Sequence, residues 1–437
     1  MTKGMAVRQP RALGFWMCLA LVVGNMIGSG VFMLPASLAP FGWNAIFGWL
    51  ITIGGGLCLA FVFARLAGAV PQAGGPYAYT RAAFGPLIGF VVAWSYWITL
   101  WVGNAAIAVA AISYLSVFMP AIRAVPGLPA LLACACIWTL TAVNCRGVAA
   151  AGRLQVVTTV LKLLPLLAVL VLAAVMIGQG RTPAPFRVAD IHPAAITATA
   201  TLTLWALLGL ESATIPADKV EGAGNTIARA TLWGMAITGV IYLLVCSAVT
   251  LLMPATDAAR SSAPIADFIA LHWGEDAGML VALFAAISAF GALNGWILLQ
   301  GEMPWAMARD GVFPRWLGVS SRRGTPVRAH IVSSILVTAV MLTNYSRSMA
   351  DLFTFIALLA TSTSLVAYLG CSLAAFRLLR RDRIVLVVAS ATALYSIWTL
   401  YGAGPEATGW GLVLLAAGAP VYWLVRRSGT AQQTADQ

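Results

Sequence analysis

Charged residues are scarce in this sequence. Only 9% of its 437 residues are charged, and Asp and Glu together number 14. A soluble protein of this size needs a largely polar surface, whereas a protein in a lipid bilayer does not. Hydrophobic residues make up 61% of the chain, and the mean hydropathy is +0.89. The composition therefore indicates a polytopic membrane protein.

The sequence also lacks the residue patterns of common enzymes and metal sites. The three histidines have no metal-ligand spacing, and the seven cysteines lie in or beside apolar segments, where cysteine is usually a small packing residue. We find no HExxH, no GxSxG and no P-loop lysine. We therefore expect no metal ion, no cofactor and no enzymatic activity.

Twelve apolar segments are long enough to cross a bilayer, which takes about 20 residues. They lie at about 13–36, 44–68, 86–119, 128–146, 155–178, 193–217, 229–254, 278–303, 329–346, 350–376, 384–402 and 408–425. No Pro- or Gly-rich linker and no low-complexity run divides them. We therefore predict an all-α protein with twelve transmembrane helices in one membrane domain.

The positive charges predict the orientation. Twenty of the 26 Lys and Arg residues fall on the side of the predicted tails, five fall on the other side, and Lys162 lies inside a segment. Cytoplasmic loops carry an excess of Lys and Arg, so both termini are expected in the cytoplasm. The same rule and anionic lipid headgroups account for the net charge of +12, so we expect membrane lipids and no nucleic acid as partners.

The first and sixth segments contain matching interruptions. One reads "GSGVFMLPA" from Gly28 to Ala36, and the other reads "GLESATIPA" from Gly209 to Ala217. In each, a glycine is followed by small or polar residues and by a proline seven positions later. A Gly/Pro kink that serves packing alone is the alternative. The paired occurrence favours two broken helices, as in transporters built from internal repeats.

The offset between the two motifs predicts the domain organisation. It equals about five segments, and since five is odd, the two repeats are inverted. We therefore predict a 5+5 inverted repeat of the LeuT-like kind, with helices 1 and 6 broken and two helices added at the C-terminus. The expected parts are a cytoplasmic tail at 1–12, repeats at 13–178 and 193–376, two helices at 384–425 and a second tail at 426–437.

A break inside the membrane creates a binding opportunity. The freed N–H and C=O groups cost several kcal/mol each in hydrocarbon unless they find partners. N–H groups at the start of a half-helix favour a carboxylate, and carbonyl groups at the end of the other favour an ammonium. A bound amino acid supplies both.

Two ionisable residues lie within the spans. Glu211 lies at the second break, where an acid is either functional or bonded to freed backbone amides. Lys162 lies in the fifth segment, in "VVTTVLKLLPLLAV". Its ammonium either extends to the membrane surface or stays in the interior as a fixed or titrating cation, in place of the sodium ion that some transporters bind.

Trp205, Trp296 and Asn104 suggest a site for a cation. Both tryptophans lie well inside spans, away from the interfacial belt, although packing alone is the simpler account of each. Aromatic faces attract cations, and an amide oxygen accepts hydrogen bonds from a guanidinium. Tyr96 precedes Asn104 by about two helical turns and shares its face.

These motifs resemble one transporter family over nearly the whole chain. Besides the two breaks, the similar stretches are "GGPYAYTRAAFGPLIGF", "SYWITLWVGN", "TLWALLGLESA", "LNGWILLQG" and "ARDGVFPRW". The chain resembles the amino acid–polyamine–organocation (APC) superfamily, and within it the basic amino acid/polyamine antiporters such as the bacterial arginine:agmatine antiporter. The resemblance implies an inner-membrane transporter and leaves a homodimer open.

The resemblance also implies roles for individual residues. The implied substrate-binding residues are Asn25, Met26, Ser29, Gly30, Thr99, Asn104, Ile107, Trp205, Leu208, Trp296 and Ser362. Trp296 is implied as the middle gate, Tyr96 and Glu211 as the cytoplasmic-side gate, and Glu211 as the proton-sensitive group. Lys162 is added as a gating or proton-sensing residue.

Two departures from that branch concern specificity. A tyrosine expected in the tenth span appears replaced by Gly370, with Tyr368 two residues away, and Lys162 stands where a small residue is expected. The resemblance implies a transporter that works by alternating access and exchanges a basic amino acid (arginine) for its decarboxylated amine (agmatine) across the inner membrane. The alternative is a proton-coupled or exchange transporter of neutral amino acids.

Overall fold

The computed structural model describes residues 14–435 except 73, 147–160, 216, 218–219 and 345–346. The predicted tail at 1–12, the start of the fifth segment, Pro216 of the second motif, the end of the ninth segment and the last two residues of the second tail lie outside the described residues. Every regular element of the described residues is a helix.

The described residues form eighteen α-helices. The first nine are α1 (Phe15–Met26), α2 (Ser29–Leu38), α3 (Trp43–Ala69), α4 (Pro76–Phe84), α5 (Pro86–Leu115), α6 (Ala121–Ala124), α7 (Leu128–Cys145), α8 (Leu163–Gly178) and α9 (Pro193–Leu207). The remainder are α10 (Ala223–Leu252), α11 (Ala255–Arg260), α12 (Pro264–Trp273), α13 (Glu275–Arg309), α14 (Val327–Thr343), α15 (Met349–Leu378), α16 (Arg383–Gly402), α17 (Gly404–Ala416) and α18 (Gly418–Ala435). Short 3₁₀ turns lie at Ala39–Phe41, Val188–Asp190, Ser212–Thr214 and Arg315–Gly318.

Nine apolar stretches of the described residues are long enough to cross a membrane. They correspond to nine of the twelve predicted segments, and the shorter apolar helices α8, α9 and α14 correspond to the other three. The protein is therefore an all-helical, multi-pass membrane protein. The number of twelve spans and the inverted repeat stay predictions.

The centre of the fold is α5. Nearly all of its apolar stretch is buried, because α13 and α15 pack along it. Four helices, α5, α7, α13 and α14, contact one another in every pairing. We call these four helices the scaffold. The first half of the broken helix, α1, packs mainly on α10, which also contacts α3 and α9.

Packing, more than ion pairing, holds the helices together. Arg81 lies 2.5 Å from Asp310, and Arg65 pairs with Asp382, but these pairs are partly exposed. Exposed pairs contribute only about 0–1 kcal/mol. Asp382 also caps α16, and the hydrogen bond from the backbone amide of Val385 holds the pKa of Asp382 below its ordinary value.

Close contact between α3 and α9 depends on Gly48. A Cβ at this position would lie 2.3 Å from Oγ1 of Thr199 and 3.0 Å from its backbone carbon. We expect Gly48→Ala to lower the free energy of unfolding by about 1–3 kcal/mol, because the added methyl forces the helices apart. Thermal melting of the purified protein measures this. Gly54→Ala in the same helix is the control, since nothing lies within 4 Å of its Cβ position. Equal melting of the two variants would contradict this packing.

Candidate substrate-binding site

The first helix is interrupted at the predicted motif. Helix α1 ends at Met26 and α2 begins at Ser29, while Ile27 is extended (ψ 90°). Gly28 packs against α13, since a Cβ there would lie 3.1 Å from that of Ala292. The break therefore leaves the carbonyl end of α1 and the amide end of α2 next to each other in the protein interior.

Side chains of three other helices bond to the last carbonyl groups of α1. Lys162 donates to the carbonyl oxygens of Gly24 (2.6 Å) and Ile27 (2.7 Å). Tyr242 donates to that of Met26 (2.6 Å), and Trp296 donates to that of Asn25 (3.4 Å). The last four carbonyl groups of a helix have no partner within it, so these bonds supply what the break removes.

Lys162 does not extend to the membrane surface. Its side chain is 0% exposed, and its ammonium lies on the two carbonyl groups at the break. The interpretation that it extends to the surface is wrong, because carbonyl oxygens in the interior already solvate its charge. The structure therefore has the interior position of Lys162, the other of the two interpretations.

The second break lies against the first. Helix α9 ends at Leu207, Leu208 is extended (ψ 139°), and Gly209 has φ +102°, a value that side chains other than glycine rarely adopt. A Cβ at Gly209 would lie 3.2 Å from the backbone of Asn25. The amide of Asn25 donates to Oγ of Ser212 (2.9 Å), which joins the two breaks directly.

Two tryptophans form an aromatic wall beside the breaks. The ring centroids of Trp205 and Trp296 lie 6.0 Å apart, and the ring of Phe353 packs edge-on against Trp205. Gly103 of α5 permits this arrangement, since a Cβ there would lie 2.8 Å from Trp296 and 3.2 Å from Trp205. Both tryptophans are almost fully buried.

Asn104 lies next to this wall and has one free polar atom. Its Nδ2 donates to Oε1 of Gln300 (2.8 Å), while its Oδ1 has no hydrogen-bond partner among the described residues. Sequence reasoning missed Gln300. The signal for it was a carboxamide inside a span, four residues after Trp296 and hence on the same helix face.

Two tyrosines hold Glu211. Tyr96 donates to Oε1 (2.8 Å) and Tyr368 donates to Oε2 (2.9 Å). Tyr368 of the tenth predicted span therefore lies beside Glu211, two residues before Gly370. Gly370 instead lies against α5, where a Cβ would be 2.7 Å from Val92.

The remaining predicted residues divide into two groups. Gly30 packs against Ala206, and Ser29, Met26, Leu208 and Ile107 are buried near the breaks or on α5. Thr99 and Ser362 lie in helix contacts instead. The hydroxyl of Thr99 bonds to Thr363 (2.9 Å), and that of Ser362 bonds to the carbonyl of Leu359 (2.8 Å) and faces α17. The structure does not bring Ser362 to the other residues.

A cavity of about 810 Å³ lies apart from the two breaks. Its lining includes Val109 and Ile112 of α5, Arg123, Arg260 and Leu352. Leu352 precedes Phe353, the residue that packs on Trp205. None of the predicted site residues lines this cavity, so it is distinct from the site at the breaks.

The chain matches the sequence profile of the amino acid permeases over residues 13–426. It belongs to the amino acid permease family. The cadaverine/lysine antiporter of Escherichia coli is 34% identical over 334 residues, covering 76% of this chain and 74% of that protein. The arginine/ornithine antiporter of Pseudomonas aeruginosa is 31% identical (92% and 88% covered), and the putative arginine/ornithine antiporter of Bacillus subtilis is 30% identical (90% and 92%). This permease is a transporter and not an enzyme.

Replacement of Lys162 tests the charge at the first break. We expect Lys162→Met to lower the melting temperature and to reduce amino acid uptake at least about tenfold, because each buried carbonyl left unpaired costs about 1–3 kcal/mol. Lys162→Gln keeps two N–H donors and should retain more stability than Lys162→Met. Melting curves and uptake into proteoliposomes measure both effects. Wild-type behaviour of Lys162→Met would show that the permease does not need this contact.

Tyr368→Phe tests the assignment of the second tyrosine. One oxygen of Glu211 then loses its donor, so we expect the free energy of unfolding to fall by about 1–3 kcal/mol and uptake to fall several-fold. Tyr395→Phe, a buried tyrosine on α16 whose hydroxyl does not bond to Glu211, should change neither. Melting curves and uptake into proteoliposomes measure both effects. A loss in both variants alike would assign the effect to general packing.

Proposed function

We propose that this permease is an alternating-access antiporter that exchanges a basic amino acid for an amine, or for a second basic amino acid, across the inner membrane. Arginine for agmatine is the specific pair that we infer from the sequence. The observation that carries the proposal is the meeting of two helix breaks beside the wall of Trp205 and Trp296. It brings backbone groups for one end of a substrate close to aromatic and amide groups for the other.

The α-amino and α-carboxyl groups of the substrate bind at the breaks. The amide end of α2, with Ser29 and Gly30, favours the carboxylate. Carbonyl groups at the ends of α1 and α9 favour the ammonium, since a carbonyl oxygen has two lone pairs and can accept a second bond.

The cationic side chain binds between the tryptophans and Asn104. A desolvated cation over an aromatic face gains about 2 kcal/mol, and the free Oδ1 of Asn104 accepts one of its N–H groups. This arrangement suits a substrate side chain that ends in an ammonium or guanidinium group. An apolar substrate side chain gains neither the cation–aromatic attraction nor the hydrogen bond.

Glu211 and Trp296 act as gates. Opening toward the tails requires the bonds from Tyr96 and Tyr368 to Glu211 to break, and protonation of Glu211 alters those bonds. Trp296 separates the substrate from the path to the 810 Å³ cavity. Lys162 serves as a fixed cation at the first break, where related folds bind sodium.

The topology that we propose has twelve spans with both termini in the cytoplasm. Residues 13–178 and 193–376 form the two inverted repeats, and α16 to α18 form the two added helices. The cavity of about 810 Å³ then lies on the outer side, because three of the five arginines assigned to that side, Arg123, Arg260 and Arg347, line it.

The relatives support exchange of basic substrates. Their names pair cadaverine with lysine and arginine with ornithine. Both members of each pair carry a distal cation. Cadaverine lacks the carboxylate of lysine, and ornithine has a shorter side chain than arginine. A neutral amino acid is the second candidate, and Lys162 favours it, since an interior lysine at this break resembles proton-coupled transporters of the superfamily.

Exchange in proteoliposomes tests the function. We expect uptake of radiolabelled arginine or lysine into vesicles loaded with arginine, lysine, agmatine or cadaverine, and none into empty vesicles. Vesicles loaded with alanine serve as the control. Uptake of alanine or leucine but not of arginine or lysine would reject the proposal and support the second candidate.

An imposed membrane potential identifies the exchanged pair. Exchange of an external amino acid of charge +1 for an internal amine of charge +2 moves one positive charge outward, so an inside-negative potential should slow it. Exchange of arginine for ornithine moves no net charge and should not respond. Valinomycin with a potassium gradient sets the potential in each case.

A further inference from the structure

We propose that Gln300 is a positioning residue for Asn104, and that it makes the distal pocket accept only substrates whose side chain ends in an N–H donor. Gln300 holds the carboxamide so that its oxygen, and not its NH₂ group, faces the substrate. The inference rests on the proposed function, because it names what selects the substrate side chain in the same site.

The two carboxamides are oriented by a direct hydrogen bond. Nδ2 of Asn104 donates to Oε1 of Gln300 at 2.8 Å, and Asn104 is 0% exposed. This leaves Oδ1 of Asn104 buried without a partner among the described residues. Buried polar atoms are nearly always hydrogen-bonded, so an unpaired acceptor next to a binding site indicates a donor that arrives with the ligand.

Hydrogen bonds fix both the side chain and the backbone of Gln300. Its Nε2 donates to Oγ of Ser334 (3.0 Å), which bonds in turn to Thr141 (2.7 Å). Its backbone oxygen accepts from Trp97 (3.3 Å) and Ser333 (2.9 Å). The hydrogen-bonded chain from Asn104 to Thr141 thus crosses all four scaffold helices, α5, α13, α14 and α7.

This chain ends at the aromatic wall. Gln300 lies one helical turn after Trp296 on α13, so the two side chains share a face. Asn104 follows Gly103, over which the rings of Trp205 and Trp296 lie. Asn104 is therefore joined to the aromatic wall twice, through its neighbour Gly103 and through its bond to Gln300.

The orientation of the Asn104 carboxamide decides which charge on a substrate side chain the pocket favours. An amide oxygen accepts from an ammonium or a guanidinium but has no proton for a carboxylate. With the amide reversed, two N–H groups would face the substrate, and a cation would meet the positive end of the dipole. An uncharged, apolar side chain would leave the oxygen unpaired, which is unfavourable in the interior.

The experiment measures the preference for a distal ammonium. Lysine and norleucine differ only in that group, and both are tested as inhibitors of radiolabelled lysine uptake into lysine-loaded proteoliposomes. The preference is the ratio of their half-inhibiting concentrations. We expect Gln300→Met to reduce this ratio at least tenfold, since Asn104 is then free to turn. Gln300→Glu still accepts from Nδ2 of Asn104 and should keep the ratio within about threefold of wild type.

Asn144→Leu is the matched control. It removes another buried amide pair between scaffold helices, Asn144 to Asn294 (3.0 Å), without contact to Asn104. A wild-type ratio in Gln300→Met overturns the inference, and so does an equal loss in Asn144→Leu, which would assign the effect to the scaffold in general. If Gln300→Met does not reach the membrane, Ser334→Ala removes the anchor of Gln300 and is expected to lower the ratio.

A different result would reject the proposed function. If the wild type itself prefers norleucine or shows a ratio near one, the permease does not select a basic substrate at all. A high wild-type ratio that Gln300→Met leaves unchanged rejects only the role of Gln300.

Discussion

Each backbone group freed by a broken helix has to find a partner in the membrane interior, and the site is built around that requirement. At the first break, Lys162, Tyr242 and Trp296 bond to the four carbonyl oxygens from Gly24 to Ile27. These side chains come from the fifth, seventh and eighth predicted segments. The broken helix thus ties distant parts of the chain together, and one of the contacts that satisfy its backbone brings Trp296 of the aromatic wall to the break.

The sequence predicted the parts of this site that are local. Glycine and small polar residues interrupt a helix wherever it packs, so the breaks after Met26 and Leu207 were readable from the two motifs. The role of Tyr368 was not, because a shift of two residues turns a side chain about 200° around a helix, and only packing fixes that register. The same holds for Ser362, whose hydroxyl the structure places against α17.

Long-range contacts explain the other differences. The sequence left two readings of Lys162, and only the approach of α1 to the start of α8 decides between them. Gln300 belongs to no motif, since its function comes from a bond to Asn104, 196 positions earlier. The shortness of α9 is a consequence of the second break, which takes the end of the predicted sixth segment out of the helix.

The scaffold has a consequence for substrate length. Asn104 and Trp296 belong to four helices that all contact one another, whereas Asn25 and Ser212 belong to the broken helices, α1 of which packs on α10. In the proposed site, one end of the substrate contacts the broken helices alone, and the distal end contacts Asn104 and Trp296 of the scaffold together with Trp205 of α9. The distance between the polar ends of the substrate then fixes how closely these groups approach. In the function that we propose, a substrate one methylene too short or too long would hold them at the wrong separation, so chain length would control closure as well as binding.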